Sequence, residues 1–126
     1  MRGAARVTGP IPAAEVWERY ALPARWPEWA PQINAVRASA PRISPGVTGS
    51  VCGPFGLRVR FVVSEVDERR RTWAWRVRVG PLRLTLWHGV EPTADGAATW
   101  LRVHGPAILV AGYLPVARTA LRRLVT

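Results

Sequence analysis

From residue 57 to residue 104 the chain alternates apolar and polar side chains with a period of two, the spacing of half-buried β-strands. Val59, Phe61 and Val63 fall on one face of a strand over Leu57–Val66, with Arg58 and Arg60 on the other. In Thr72–Val79, Trp73, Trp75, Val77 and Val79 oppose Thr72, Ala74, Arg76 and Arg78. In Leu82–Glu91, Leu82, Leu84, Leu86, His88 and Val90 oppose Arg83, Thr85 and Trp87. In Ala98–His104, Leu101 and Val103 oppose Trp100, Arg102 and His104. Turns are signalled by Asp67–Arg71, Gly80-Pro81 and the hairpin pair Asp95-Gly96. Four consecutive strands thus sort into an oily face and an arginine-rich face.

Ahead of this region, Ala4–Thr8 reads as a first short strand. Pro12 suits the first turn of a helix, and Val16, Trp17 and Tyr20 follow at helical spacing until Pro23 ends the element. Trp26-Pro27-Glu28-Trp29 forms a second short turn, stopped by Pro31. Ile33–Ala38 and Val47–Cys52 complete the strands. A final helix runs from about Ala107 to Val125, with Leu109, Tyr113, Val116, Ala117, Ala120, Leu121 and Leu124 on its apolar side and Pro115 expected to kink it. The plan is α+β: one curved antiparallel sheet of six to seven strands, two short helices after the first strand and a long C-terminal helix.

That helix is the one element long and amphipathic enough to cover the oily face. A twisted sheet and a straight rod match poorly in shape, so a gap between them is expected, and such gaps suit apolar ligands. The competing reading is that Trp17, Trp73 and Trp75 fill the space.

Composition adjusts the picture in two places. The 126 residues suit a single domain over 1–126, with room for a core. One cysteine, Cys52, forms no internal disulfide; with no leader and no bilayer-spanning stretch, a reducing cytoplasmic location is expected. The net charge is +10, and all 18 basic residues are Arg. The absence of Lys reads as coding bias, which weakens the case for nucleic acid as a partner, while the charge favours an anionic ligand over a cationic one. No phosphate loop or metal-ligand cluster stands out, so neither metal nor cofactor is implied.

Few side chains carry candidate chemistry. His88 lies on the oily face and reads either as a ligand anchor or acid/base group, or as a satisfied core histidine. Tyr113 offers a hydroxyl from the core side of the final helix. Cys52 reads as a small hydrophobe. On the outer face, Arg58, Arg60, Arg76, Arg78, Arg83 and Arg102 surround Trp87 and Trp100. That face reads as a solvated surface, with a nucleic-acid site or a homodimer interface as alternatives.

Pro12-Ala13-Ala14-Glu15-Val16-Trp17, Trp26-Pro27-Glu28-Trp29-Ala30-Pro31-Gln32-Ile33, Pro45-Gly46, Val66-Asp67 with Arg71-Thr72-Trp73-Ala74-Trp75, and Asp95-Gly96 occur in an order that resembles the polyketide cyclase/dehydrase and lipid-transport family of the START-like (SRPBCC) superfamily. The resemblance runs from about residue 4 to residue 125. It implies the helix-grip fold, a hydrophobic cavity, and binding of a lipid- or polyketide-like molecule, or cyclase/dehydratase chemistry with His88 as acid/base. It places Trp26 and Trp29 at the cavity entrance, to gate it or to pin the short helices. Trp17, Phe61, Trp73, Trp75, Leu84, Leu86, Leu101 and Val103 are expected in the wall, with His88 as polar anchor and Tyr113 opposite. Short strands and loops imply a small cavity.

Overall fold

The computed structural model describes residues 1–126. Seven strands form one antiparallel sheet: β1 (Arg2–Gly9), β2 (Ala35–Ala38), β3 (Thr48–Cys52), β4 (Arg58–Asp67), β5 (Thr72–Val79), β6 (Leu82–Thr93) and β7 (Gly96–His104), in spatial order β1-β7-β6-β5-β4-β3-β2. Helices α1 (Ala13–Ala21) and α2 (Trp26–Trp29) follow β1, and α3 (Ala107–Val125) closes the chain. None is long and apolar enough to cross a membrane.

The pleat sorts side chains as the alternation predicts. Phe61, Val63, Trp73, Trp75, Val77, Leu84, Leu86, Leu101 and Val103 are buried on the concave face, while Arg58, Arg60, Arg76, Arg78, Arg83 and Arg102 are exposed on the convex one. Burial departs from the alternation at Leu82, which is exposed where its strand begins, and at Ala74, which is buried on the other face. A bulge between Val63 and Glu65 slips the β4–β5 register, so Val66 pairs with Trp73 and stays on the inner side. Ile33 precedes β2 instead of opening it, and β7 begins two residues early, at the Gly96 turn.

Helix α1 begins at Ala13, with Pro12 as its N-cap. Its buried side carries Val16, Trp17 and Tyr20. Trp17 donates its indole N–H to Glu68 in the β4–β5 turn at 2.6 Å, and Arg42 bridges Glu68 and Glu18 at 2.6 and 2.8 Å. The Arg42 guanidinium holds the Glu68 carboxyl below the ordinary carboxylate range.

Helix α3 is continuous through Pro115. Ala111 and Pro115 are both exposed, so the carbonyl that Pro115 leaves without an N–H partner faces water. What fixes α3 is a pair of glycines in β1. A Cβ on Gly9 would stand 2.2 Å from the Val125 carbonyl oxygen, and one on Gly3 would stand 2.8 Å from Leu114. The same Val125 carbonyl accepts the Ile11 N–H at 3.2 Å. The helix therefore lies tight along β1 and β7, at one edge of the sheet, and does not pack closely on β3–β6.

Gly9→Ala is expected to lower unfolding free energy by about 1–3 kcal/mol, the usual range for overpacking, because its contact is with backbone that cannot swing aside. A urea titration showing an unchanged midpoint would refute this seating of α3.

Candidate functional site

Between α3, α2 and the uncovered part of the sheet lies a cavity of about 370 Å³, lined by 25 residues of which 20 are hydrophobic. Its floor is Trp73, Trp75 and Val77 from β5, Leu84, Leu86 and His88 from β6, and Leu101 from β7. Its roof is the apolar stripe of α3, including Leu109, Tyr113, Ala117 and Leu121. Trp26 and Trp29 close one side, while Gln32, Ile33, Gly53, Pro54 and Leu57 rim the other.

Nine of the twelve side chains expected at the site meet here: Trp26, Trp29, Trp73, Trp75, Leu84, Leu86, His88, Leu101 and Tyr113. Three stand elsewhere. Trp17 is buried toward Glu68. Phe61 stands behind the wall, 5.5 Å from the Trp26 ring and 5.3 Å from that of Trp75. Val103 has the right face but lies opposite Gly3, under the edge where α3 rests. Trp26 and Trp29 are buried, and their N–H groups donate to the Tyr20 and Arg19 carbonyls at 2.8 and 3.1 Å. They are pins that double as wall, and the entrance is elsewhere. Pro54, Leu57, Ile108, Gly112 and Val116 are the exposed lining residues, and they mark the mouth.

The wall is stiffened by ring packing. Trp73 stacks on His88 at 4.7 Å and 17°, and Trp26 stacks on Trp73 at 5.7 Å and 28°. Tyr20 meets Trp29 and Trp73 edge-on. Such pairs each add about 0.5–1.5 kcal/mol beyond the burial itself.

The hydrogen bonds of His88 can be ordered from their ends. Trp75 Nε1 only donates, and it lies 3.0 Å from His88 Nε2, so Nε2 accepts. The Gly89 carbonyl only accepts, at 3.1 Å from Thr99 Oγ1, so the Thr99 proton is committed there. Thr99 must then accept the Tyr20 hydroxyl proton at 2.9 Å. This leaves Tyr20 Oη to receive Nδ1–H of a neutral His88 at 3.4 Å. The chain runs one way, Trp75 to His88 to Tyr20 to Thr99 to Gly89, and both imidazole nitrogens are occupied. Burial holds the imidazole down at about 3, so it stays neutral, and burial likewise pushes the Tyr113 hydroxyl up to about 12. His88 is thus a satisfied core histidine with neither a free lone pair nor a spare proton. Tyr20 and Thr99, which satisfy it, carry no sequence signal beyond the helical phase of one and the strand phase of the other.

Two polar atoms of the lining residues remain unpaired. Trp73 Nε1 and Gln32 Oε1 are both buried without a hydrogen-bond partner. Outside the cavity, between Pro54 and Gly56, Phe55 holds a left-handed backbone (φ 59°, ψ 28°) with its ring fully exposed, a conformation that costs a bulky residue about 1–3 kcal/mol.

His88 ties the fold to pH. Its proton affinity is ordinary in the unfolded chain and depressed in the folded one, so the unfolded state takes up one more proton as pH falls below about 6.5. Unfolding free energy is expected to drop by about 1.4 kcal/mol per pH unit once pH is well below 6.5, and His88→Gln is expected to remove that slope between pH 6 and 5. Equal slopes for both proteins in denaturant titrations would refute the neutral assignment.

A family model for polyketide cyclase / dehydrase and lipid transport matches residues 2–126. No curated protein matches the chain. Among solved structures, Ara h 8.0201 superposes with a TM-score of 0.80 at 14% identity, over 98% of this chain and 94% of that one. A protein of Nitrosospira multiformis gives 0.82 at 16%, over 99% and 94%. The di-domain ARO/CYC BexL of the BE-7585A biosynthetic pathway gives 0.82 at 17%, over 99% of this chain and 45% of that one. At these identities the structural likeness speaks for the helix-grip fold, while the family match spans nearly the whole sequence. The chain belongs to the polyketide cyclase / dehydrase and lipid transport family.

Proposed function

We propose that this protein binds a small, predominantly apolar molecule between the sheet and α3. The observation that carries the reading is the void itself: about 370 Å³, walled almost wholly by hydrocarbon and indole. Ligand pockets run from about 300 to 1,000 Å³, and an apolar void of about 150 Å³ already holds benzene. This one has room for two or three fused rings or a short branched chain.

The scaffold is shared by ligand-binding and cyclase-type proteins, and its residues favour the first. Catalysis through His88 would need a lone pair or a proton near neutrality. Both ring nitrogens are engaged, and burial keeps the ring neutral. The eight carboxylates lie outside the cavity wall.

The test uses 1-aminoanthracene, a three-ring probe excited by energy transfer from the wall tryptophans. Saturable 1:1 binding is expected. Ala117 is buried on α3 and lines the cavity. Ala117→Phe is therefore expected to fill part of the void and weaken the probe at least tenfold with the circular dichroism spectrum unchanged. Absence of probe binding to the parent protein, or full binding to a folded Ala117→Phe, would overturn the reading.

A further inference from the structure

The cavity mouth opens at one end of the sheet, and the surface there is unlike the rest of the molecule. β3 runs out at Cys52 beside Arg58, the β5–β6 hairpin turns at Gly80-Pro81, and β7 ends at His104 beside Arg2. Helix α3 starts here as well, and the terminal ammonium of Met1 donates to the Gly105 carbonyl at 2.9 Å. Of the seven large apolar side chains exposed anywhere on the protein, six belong to this end or line the mouth: Met1, Phe55, Leu57, Leu82, Ile108 and Val116. Phe55 and Ile108 lead, at 107% and 80% exposure.

The charge distribution is equally one-sided. The segments that build this end (1–4, 31–37, 52–60, 78–84 and 102–116) contain no Asp or Glu. They contain Arg2, Arg37, Arg58, Arg60, Arg78, Arg83 and Arg102, none of which is in an ion pair. Arg60, Arg78 and Arg83 stand directly opposite one another across β4, β5 and β6, an arrangement that opposes folding unless an anion screens it. The positive end of the α3 dipole points the same way. Of the carboxylates on the sheet and its turns, Glu65, Asp67, Glu68, Glu91 and Asp95 all lie at the opposite end.

We propose that this end docks on an anionic lipid surface, with Phe55, Leu57, Leu82 and Ile108 entering the headgroup–acyl boundary and the arginines lying on the headgroups. Apolar tips inside a basic belt are what such an interface selects. A nucleic acid would neutralise the arginines but leave the aliphatic tips in water. The strained, solvent-facing Phe55 has no contact in the free protein that accounts for its conformation. The proposal rests on the cavity reading for its purpose, since it sets the mouth facing a reservoir of apolar guests.

The experiment is co-sedimentation with vesicles of phosphatidylcholine alone and of phosphatidylcholine with phosphatidylglycerol at 7:3. Binding to the mixed vesicles only is expected, falling at least tenfold between 50 and 300 mM salt. Phe55→Asp with Leu82→Asp touches no cavity-lining residue, and Asp tolerates the left-handed backbone at position 55. It is expected to weaken vesicle binding at least tenfold while the circular dichroism spectrum and solution binding of 1-aminoanthracene stay unchanged. Arg58→Gln with Arg83→Gln is expected to flatten the salt dependence. The proposal is overturned by failure to bind mixed vesicles, by equal binding to both compositions, by an unaffected Asp variant, or by competition in which a single-stranded oligonucleotide binds the same arginines more tightly than the vesicles. The soluble-probe titration of the parent protein separates the two ideas: a parent that binds the probe but no vesicles sinks only the docking, and one that binds mixed vesicles but no probe sinks only the cavity.

Discussion

The contact between Gly9 and the Val125 carbonyl decides the rest of the architecture. It seats the end of α3 on backbone, where a side chain would hold it off, and Gly3 does the same near the other end against Leu114. The helix is drawn over β1 and β7 as a result. A helix centred on the sheet would have filled the concavity. One drawn to the edge covers part of it and leaves a gap over β5 and β6, roofed by α3 and walled on one side by Trp26 and Trp29. The void follows from where the helix is anchored, more than from any shortage of bulky residues. Seven tryptophans are present, and four of them line the space without filling it.

An open apolar surface tends to collapse, and here two things oppose that. The rings of Trp26, Trp73, Trp75, Tyr20 and His88 brace one another in stacked and edge-on contacts, so no one of them can turn inward alone. Below them the hydrogen-bonded run from Trp75 to the Gly89 carbonyl fixes β5, β6, β7 and α1 relative to each other. Its direction is dictated by a donor-only group at one end and an acceptor-only group at the other, which leaves no alternative protonation pattern of similar energy.

Much of this was legible in the residues. Alternation in β5 and β6 put Trp73, Trp75, Leu84, Leu86 and His88 on one face, and the pattern of α3 located its bounds to the residue. The errors have physical causes. Alternation assigns a face but says nothing of position across the sheet, so Val103, beneath the seated helix, and Phe61, behind the tryptophans, were indistinguishable from true wall residues. A nine-residue helix shows which side is buried but not against what, so Trp17 was expected in the wall when its partner is Glu68. The bulge at Ser64 leaves no trace in composition. The role of His88 depended on where α1 crosses β6 and β7, a long-range fact that no local pattern encodes. Of the two readings that the sequence offers for Trp26 and Trp29, gate or pin, the hydrogen bonds fit the pin: their N–H groups reach backbone carbonyls ten residues or fewer away and lock them down.

His88 and Tyr113 are the only two titratable side chains among the cavity-lining residues. One is held neutral down to about 3 and the other up to about 12. The chamber therefore carries no net charge of its own anywhere in the physiological range, whatever compartment the protein visits. Under the binding reading, pH would act on a guest through the guest's own ionisation and, below about 6.5, through the fold stability that His88 ties to protonation.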